Sequence, residues 1–363
     1  MRTSVPRRRL ALLAVGAAAL VLIALTWSRA YDAVTRPLGP GLELPTLTAT
    51  EPPVWTPISA TAAAAVPMPT GTSTPAPLCG GPPSMMVLGI GADNRENNYL
   101  YGLADVIRVA RVDFLTPAVS VLSLPRDIWV EIPEISDHYG ITHGKLNQAY
   151  LYGNPGMGYY DGPGLGPGLL ARTLDANFAL RVDYYAAVNM RTFVKIVDAV
   201  GGIDIYLAEP VDGRPVDDKT EDMGYFPRGN HHMSGETALR FSRIRKVDNA
   251  FKRDDRQTMV LCALKQKLLS PDVLPRIPGI IGSLQDAILT DLSLAQLGQL
   301  ACLGPYLRPE NLRFASIPEE LLVPGRNDQG SFILKADMEA VRALIAEFVA
   351  GTWPTEPDQP SCP

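Results

Sequence analysis

Met85-Met86-Val87-Leu88-Gly89-Ile90-Gly91 is a short, uncharged apolar run ending in glycine, and its reading as a buried strand sets the fold class. Downstream, Val106 to Asp113, Val119 to Leu124 and the alternating Trp129 to Ile132 read as further strands. Gly168 to Phe178 has helical spacing, Asp183 to Val188 is a strand, and Arg191 to Val200 is a helix stopped by Gly201-Gly202. Ile203 to Leu207 is another strand. Helices follow over Arg253 to Leu269, Ser293 to Leu303 with Ser293 as cap, and Ala336 to Val349. This alternation predicts an α/β fold, a mixed central β-sheet covered by helices on both faces. The stretch from about Ser84 to Thr352 is long enough for one large domain, and no internal repeat is evident.

Upstream, Arg7, Arg8 and Arg9 precede an uncharged apolar run from Leu10 to Trp27, near the length that crosses a bilayer as a helix. Positive charge before the span puts the N-terminus inside and the rest outside the cytoplasmic membrane. A cleaved signal peptide is the competing reading; the run exceeds a usual signal core and no convincing small-x-small site follows, which favours an uncleaved anchor. The expected organisation is a cytoplasmic tail over 1–9, a transmembrane helix over 10–27 that contacts the lipid bilayer, and an extracytoplasmic linker over 28–83. Pro, Thr and Ala dominate that linker, a composition that buries no core and reads as a spacer. A main domain over 84–303, a C-terminal extension over 304–352 packed on it and a tail over 353–363 complete the chain.

The formal net charge is −5, and Arg2, Arg7, Arg8 and Arg9 all precede the span, so the remainder is more acidic still. That balance argues against nucleic acid as a partner. Four cysteines, Cys79, Cys262, Cys302 and Cys362, lie in an oxidising compartment on this reading. Cys262 and Cys302 fall on two predicted helices and are candidates for one bridge, with buried free thiols as the alternative.

Against that acidic background, five arginines crowd Arg240 to Gln257. Arg243 and Arg245, two apart, share a face with Phe241 if the segment is a strand. Arg253 and Gln257, four apart, share a helix face that continues as Val260, Leu261, Leu264 and Leu268, the expected core-facing stripe. Such a cluster suits a polyanion, with the helix N-terminus adding donors; the alternative is a solvated charge run partnered by Asp254 and Asp255. Asp93 follows the first strand and Asp105 opens the second, so the two carboxylates can meet at neighbouring strand ends and hold Mg²⁺ together with pyrophosphate oxygens. Each aspartate alone also reads as a turn former or cap. Arg126, directly after a buried strand, is placed to close the clamp.

Gly89 to Arg95, Leu122-Ser123-Leu124-Pro125-Arg126-Asp127, Lys145 to Tyr150, Val197 to Ile203, Gly235 to Leu239, Arg243-Ile244-Arg245 and Arg253 to Gln257 occur in one order. That ordered set resembles the LytR-CpsA-Psr family, whose older naming points to transcriptional attenuation, from about Met85 to Lys267. The resemblance implies a three-layer α/β/α sandwich whose core binds a lipid tail. It implies an extracytoplasmic phosphotransferase that moves a glycopolymer from a polyisoprenyl-pyrophosphate carrier to a cell-wall or envelope acceptor. Carried over residue by residue, Asp93 and Asp105 match the metal and catalytic aspartates, and Arg126, Arg243, Arg245, Arg253 and Gln257 match the pyrophosphate-binding set. Lys145 matches a basic residue on the same rim, and Arg95 ends the first motif and joins the pyrophosphate-binding set. The chain departs from the family pattern at Leu103, where a basic residue usually precedes the second aspartate, and at Ala250, where an aspartate is usual; Asp248 stands nearby. The alternatives are a polyprenyl-pyrophosphate hydrolase and a non-catalytic polyprenyl-phosphate binding or envelope regulatory protein.

Other motifs read as structural. His231 and His232 are adjacent and cannot share a face, which disfavours a metal site. Ser123 sits in no nucleophile elbow. The glycines from Gly162 to Gly168 alternate with Pro163 and Pro167, which remove backbone donors, so a connecting loop is expected rather than a phosphate loop.

Overall fold

A computed structural model describes residues 28–29, 31–45, 76–96, 98–218, 220–244, 250–276, 279–280 and 287–354. The strands are β1 (Ser84–Ala92), β2 (Ala104–Asp113), β3 (Ala118–Ser123), β4 (Trp129–Glu131), β5 (His143–Lys145), β6 (Tyr184–Asn189), β7 (Ile203–Leu207), β8 (Val211–Asp212), β9 (Tyr225–Phe226), β10 (Gly229–Met233), β11 (Leu289–Thr290), β12 (Leu312–Ser316), β13 (Leu322–Arg326) and β14 (Phe332–Ala336). The α-helices that matter here are α1 (Leu146–Gly153), α2 (Leu165–Phe178), α3 (Met190–Ala199), α4 (Gly235–Arg243), α5 (Ala250–Leu268), α6 (Leu294–Leu303) and α7 (Met338–Ala350).

The opening apolar run is the central strand. In the order β11-β6-β1-β2-β3-β12, β1 pairs antiparallel with β2 and parallel with β6, which makes the sheet mixed as expected. Along β1 the side chains alternate between two environments. Met86, Leu88, Ile90 and Ala92 are buried in the main core with α1, α2 and α7, through Leu146, Tyr150, Leu170, Phe178, Ile345 and Phe348 among others. Burying each of the larger aliphatic and phenyl side chains stabilises the fold by about 1.5–3 kcal/mol. Val87, Gly89 and Gly91 point the other way and are only half-buried, because that face lines a cavity. At Gly91 a Cβ would stand 2.9 Å from the Val106 Cβ, so the cross-strand fit requires glycine. Opposite this face, α3, α4, α5 and the β7–β10 pair close a second core around Val197, Ile205, Phe226, Phe241 and Val260.

Several elements depart from expectation. Phe241 to Arg243 lie on α4, not on a strand: Ala238, Phe241 and Ser242 are buried at helical spacing, and the Ser234 Oγ caps the helix by accepting from Thr237 N–H. Helix α2 begins at Leu165, inside the expected glycine-proline loop; Gly164, at φ 75°, supplies the left-handed residue that precedes it. Helix α6 has Ser293 as cap, as expected, within a capping box completed by Gln296. The disulfide joins Cys79 to Cys302 rather than Cys262 to Cys302; Cys262 is itself disulfide-bonded, and no described cysteine is free.

Part of the stretch read as a spacer is docked. Residues 37–45 run along the β6–β11 edge: Pro37 bridges to Ser293, the Tyr185 hydroxyl donates to Pro40 O (3.0 Å), Arg172 donates to the carbonyls of Leu42 and Glu43 (3.0 and 3.1 Å), and Arg181 donates to Pro45 O (2.6 Å). Leu42 is buried in the main core. Gly39 lies so close to the Thr290 carbonyl that a Cβ would come within 2.6 Å of its oxygen. The apolar run 10–27 lies outside the described residues, and no helix among them is long and apolar enough to cross a membrane.

Candidate functional site

The C-terminal end of β1 and the start of β2 meet at one polar bowl of about 600 Å³. Asp93 follows β1 directly and Asp105 is the second residue of β2. Leu103 ties them together through its backbone: its N–H donates to Asp93 Oδ1 (2.7 Å), and its carbonyl accepts from both the Asp93 and Asp105 N–H groups (3.0 and 3.1 Å). Leu103 therefore orients the Asp93 carboxylate through its N–H and fixes the backbone of both aspartates through its carbonyl. Arg126, just past β3, donates through Nη1 to Asp105 Oδ1 and through Nε to Asp127 Oδ2 (3.3 Å). Lys145 Nζ, at the N-cap of α1, donates to Asp127 Oδ1 (2.7 Å). Asp127, which the sequence reading did not assign, thereby spaces two cations across the bowl.

Burial is the main effect on Asp93 and pushes its carboxyl above the usual range; the Leu103 N–H pulls it down, the Asp105 charge adds to the rise, and Arg126 opposes it. For Arg126 burial acts to lower the pKa, but the carboxylates of Asp105 and Asp127 outweigh it and hold the guanidinium above its ordinary value. Two carboxylates are what Mg²⁺ takes from protein when water and phosphate oxygens complete its octahedron, so Asp93 and Asp105 fit that ion. Among the described residues no third His, Cys, Asp or Glu joins them.

Arg243, at the end of α4, and Arg95, in the loop after β1, each donate to Glu221 Oε2 at 3.2 Å, which brings residues far apart in the chain to one rim. The sequence carried no signal for Glu221. Arg253 and Gln257 are half-buried on α5, with Gln257 Nε2 donating to Ser242 O (3.4 Å). Arg245 and Asp248 lie outside the described residues.

Behind the bowl is a second, mostly apolar cavity of about 420 Å³. Its floor is the half-buried face of β1, β2 and β6, and its roof is Met190, Phe193, Leu239, Val260 and Leu261. Leu261, expected in the packed core, is 37% exposed because its side chain faces this space. The two cavities share Asp93, Asp105, Met190 and Arg243, while Arg253 and Gln257 stand on the apolar side. Among the sequence-predicted site residues, Asp93, Asp105, Arg95, Arg126, Lys145 and Arg243 thus converge on the bowl, and Arg253 and Gln257 line the passage behind it. The adjacent histidines serve other ends: His231 Nε2 lies 2.6 Å from Pro227 O, and His232 Nδ1 lies 2.7 Å from Asp204 Oδ1.

The LytR_cpsA_psr family model matches residues 78–347. The chain belongs to the LytR-CpsA-Psr family. It is similar to the polyisoprenyl-teichoic acid--peptidoglycan teichoic acid transferase TagU of Oceanobacillus iheyensis, 31% identical over 217 residues that cover 59% of this chain and 61% of TagU. It is also similar to the regulatory protein MsrR of Staphylococcus aureus, 28% identical over 208 residues covering 57% of this chain and 56% of MsrR. The matched stretch thus spans about three-fifths of the length of these relatives. The crystal structure of B. subtilis TagV has the same fold, with a TM-score of 0.58, 23% identity, and coverage of 74% of this chain and 97% of TagV.

Proposed function

We propose that this LytR-CpsA-Psr protein is a membrane-anchored extracytoplasmic phosphotransferase that moves a glycopolymer from a polyisoprenyl-pyrophosphate carrier to a cell-wall or envelope acceptor. The observation that carries this reading is the junction at Asp93, Asp105 and Arg243, where an apolar cavity opens into a cation-rimmed bowl. A polyisoprenyl pyrophosphate has that same division, an apolar tail joined to a compact polyanion. The similarity to TagU, a polyisoprenyl-teichoic acid--peptidoglycan teichoic acid transferase, supports the glycopolymer class.

In this reading the tail occupies the apolar cavity and the pyrophosphate lies at the junction, held by Arg126, Arg243, Arg253 and Gln257, with Arg95 and Lys145 on the outer rim. The acceptor hydroxyl oxygen forms a bond to the sugar-linked phosphorus as the bond from that phosphorus to the bridging oxygen breaks. The lipid leaves as its monophosphate, the polymer becomes a phosphodiester on the acceptor, and the hydroxyl proton passes to Asp105. Arg126 and Arg243 stabilise negative charge on the departing phosphate, where pre-placed cations contribute most. Mg²⁺ held by Asp93 and Asp105 would supply further neutralisation of the pyrophosphate.

The test follows lipid phosphate release from a polyprenyl-pyrophosphate-linked polymer by the full-length protein in nanodiscs, with and without Mg²⁺ and wall acceptor. Metal-dependent release that rises with acceptor and is strongly lowered in Arg126→Ala and Asp105→Ala supports transfer. Release that ignores acceptor would identify a hydrolase. Arg126-dependent binding with no release would leave a carrier-binding protein.

A further inference from the structure

Gln148 lines the bowl and is fixed at both ends of its amide: Oε1 accepts from Lys145 N–H (2.8 Å) and Nε2 donates to the Tyr152 hydroxyl (3.3 Å), one turn further along α1. From Tyr152 the aromatic rings continue outward. Tyr159 lies 5.7 Å from Tyr152, His138 stacks on Tyr159 at 4.9 Å and 14°, and Tyr139 meets Tyr159 edge-on at 6.1 Å. Tyr152 and Tyr159 rest on the main core, but Tyr139 is 88% exposed. Its backbone is left-handed, at φ 57°, a conformation that costs a non-glycine residue about 1–2 kcal/mol. That backbone belongs to a tight turn closed by the Ile141 N–H donating to His138 O (3.1 Å), with Gly140 also left-handed at φ 66°; the turn accounts for the conformation, but the ring it presents lies mostly in water.

We infer that His138, Tyr139, Tyr152 and Tyr159 form a carbohydrate-binding ledge, and that its occupant is the glycan strand of the acceptor. Flat aromatic faces bordered by hydroxyl and imidazole groups complement a pyranose, which offers an apolar C–H face and a rim of hydroxyls. The choice of acceptor over donor rests on the proposed transfer and on the side of the sheet. Helix α1 packs on the β1 face opposite the apolar cavity, since its Leu146, Ala149 and Tyr150 share a core with Leu88 and Ile90. In-line displacement brings the nucleophile in opposite the leaving group. With the departing lipid phosphate on the cavity side, the incoming hydroxyl enters from the α1 side, where the ledge begins at Gln148. The charge next to the rings in the described structure is the Asp137 carboxylate, 3.7 Å from His138 and exposed, which repels phosphate, so the ledge suits the C–H face of a sugar better than a phosphate-rich polymer.

The experiment titrates full-length protein in phospholipid nanodiscs with a tetrasaccharide of alternating N-acetylglucosamine and N-acetylmuramic acid, by calorimetry. A parallel arm uses a polyol-phosphate polymer freed of its lipid. Saccharide affinity is expected to fall by about tenfold in Tyr139→Ala and to be kept in Tyr139→Trp. Tyr159→Ala should lose more, and Tyr139, being exposed, tests the ledge if the Tyr159 variant misfolds. Equal saccharide affinity in wild type and Tyr139→Ala, or no binding to wild type, overturns the ledge. Weakened binding of the polyol phosphate alone overturns the choice of acceptor. Saccharide binding that depends on Tyr139 in a protein showing no transfer keeps the ledge and refutes the phosphotransferase reading.

Discussion

Arg108 on β2 and Asp254 on α5 are ion-paired at 2.7 Å across the wall of the apolar cavity, both largely shielded from water. Ser123 Oγ donates to the same Asp254 oxygen (2.6 Å), and Arg108 Nη1 donates to Thr258 Oγ1 (3.0 Å), so the pair ties the sheet to the helix that carries Arg253 and Gln257. Removing one member strands a buried charge. Arg108→Ala and Asp254→Ala are each expected to destabilise the protein by about 3–5 kcal/mol, whereas Arg108→Met with Asp254→Leu should recover most of that loss. Denaturation of the four proteins in a double-mutant cycle checks this; additive single losses would mean that the two charges act independently.

At the bowl, Arg126 is the cation that touches both Asp105 and Asp127. Under the proposed chemistry, Arg126→Ala should lower transfer by about 10²–10³-fold. Arg126→Lys should restore part of it, because a point charge cannot make both contacts at once. Single-turnover rates with saturating carrier lipid separate this from a loss of binding.

Asp291 sits beside the docked N-terminal segment, its Oδ1 accepting from Tyr185 N–H at 2.8 Å. Burial raises its pKa from 3.8 to about 6, partly offset by backbone N–H groups including that of Leu42. A carboxyl whose folded pKa is raised binds its proton more tightly in the folded state, so ionisation weakens the fold. Asp291 therefore lowers stability as pH rises from about 4 to about 6, and the loss is complete above that. Asp291→Asn should flatten the decline in Tm over this window and raise Tm at pH 7. A variant whose Tm follows the wild-type pH profile would contradict the assignment.

The Cys79–Cys302 bridge closes a loop of sequence separation 223 and fastens the segment before β1 to α6. Replacing both cysteines by serine should cost about 2–4 kcal/mol, seen as a lower denaturation midpoint with a slope that rises as the freed unfolded chain expands.

The strands were legible because period-2 alternation survives in one dimension, and β7 at Ile203–Leu207 matches its expectation residue for residue. The segment around Phe241 was misread because Arg243-Ile244-Arg245 imitates strand alternation. The signal that decides it is Ser234 as cap, followed by burial at Ala238, Phe241 and Ser242. Most of the proposed clamp could be listed from sequence, since cationic side chains at motif positions announce themselves. Its spacers could not: Asp127 and Glu221 matter through partners 18 and 126 residues distant along the chain, and only folding reveals those pairings. The cavity was equally hidden, because Val87, Val260 and Leu261 read as core whether or not the space between them is filled.

The docking of residues 37–45 changes what the long Pro- and Thr-rich stretch does. Pro45 and β1 are both held on the same domain, so the residues between them in sequence add nothing to the distance the domain can stand from a membrane anchor at the N-terminal side. Under the proposed anchor, the leash between bilayer and domain is only residues 28–36, roughly 30 Å even at full extension. On that proposal a domain on so short a leash stays within about one membrane thickness of the lipid surface, and the proposed carrier tail would have little water to cross between bilayer and cavity.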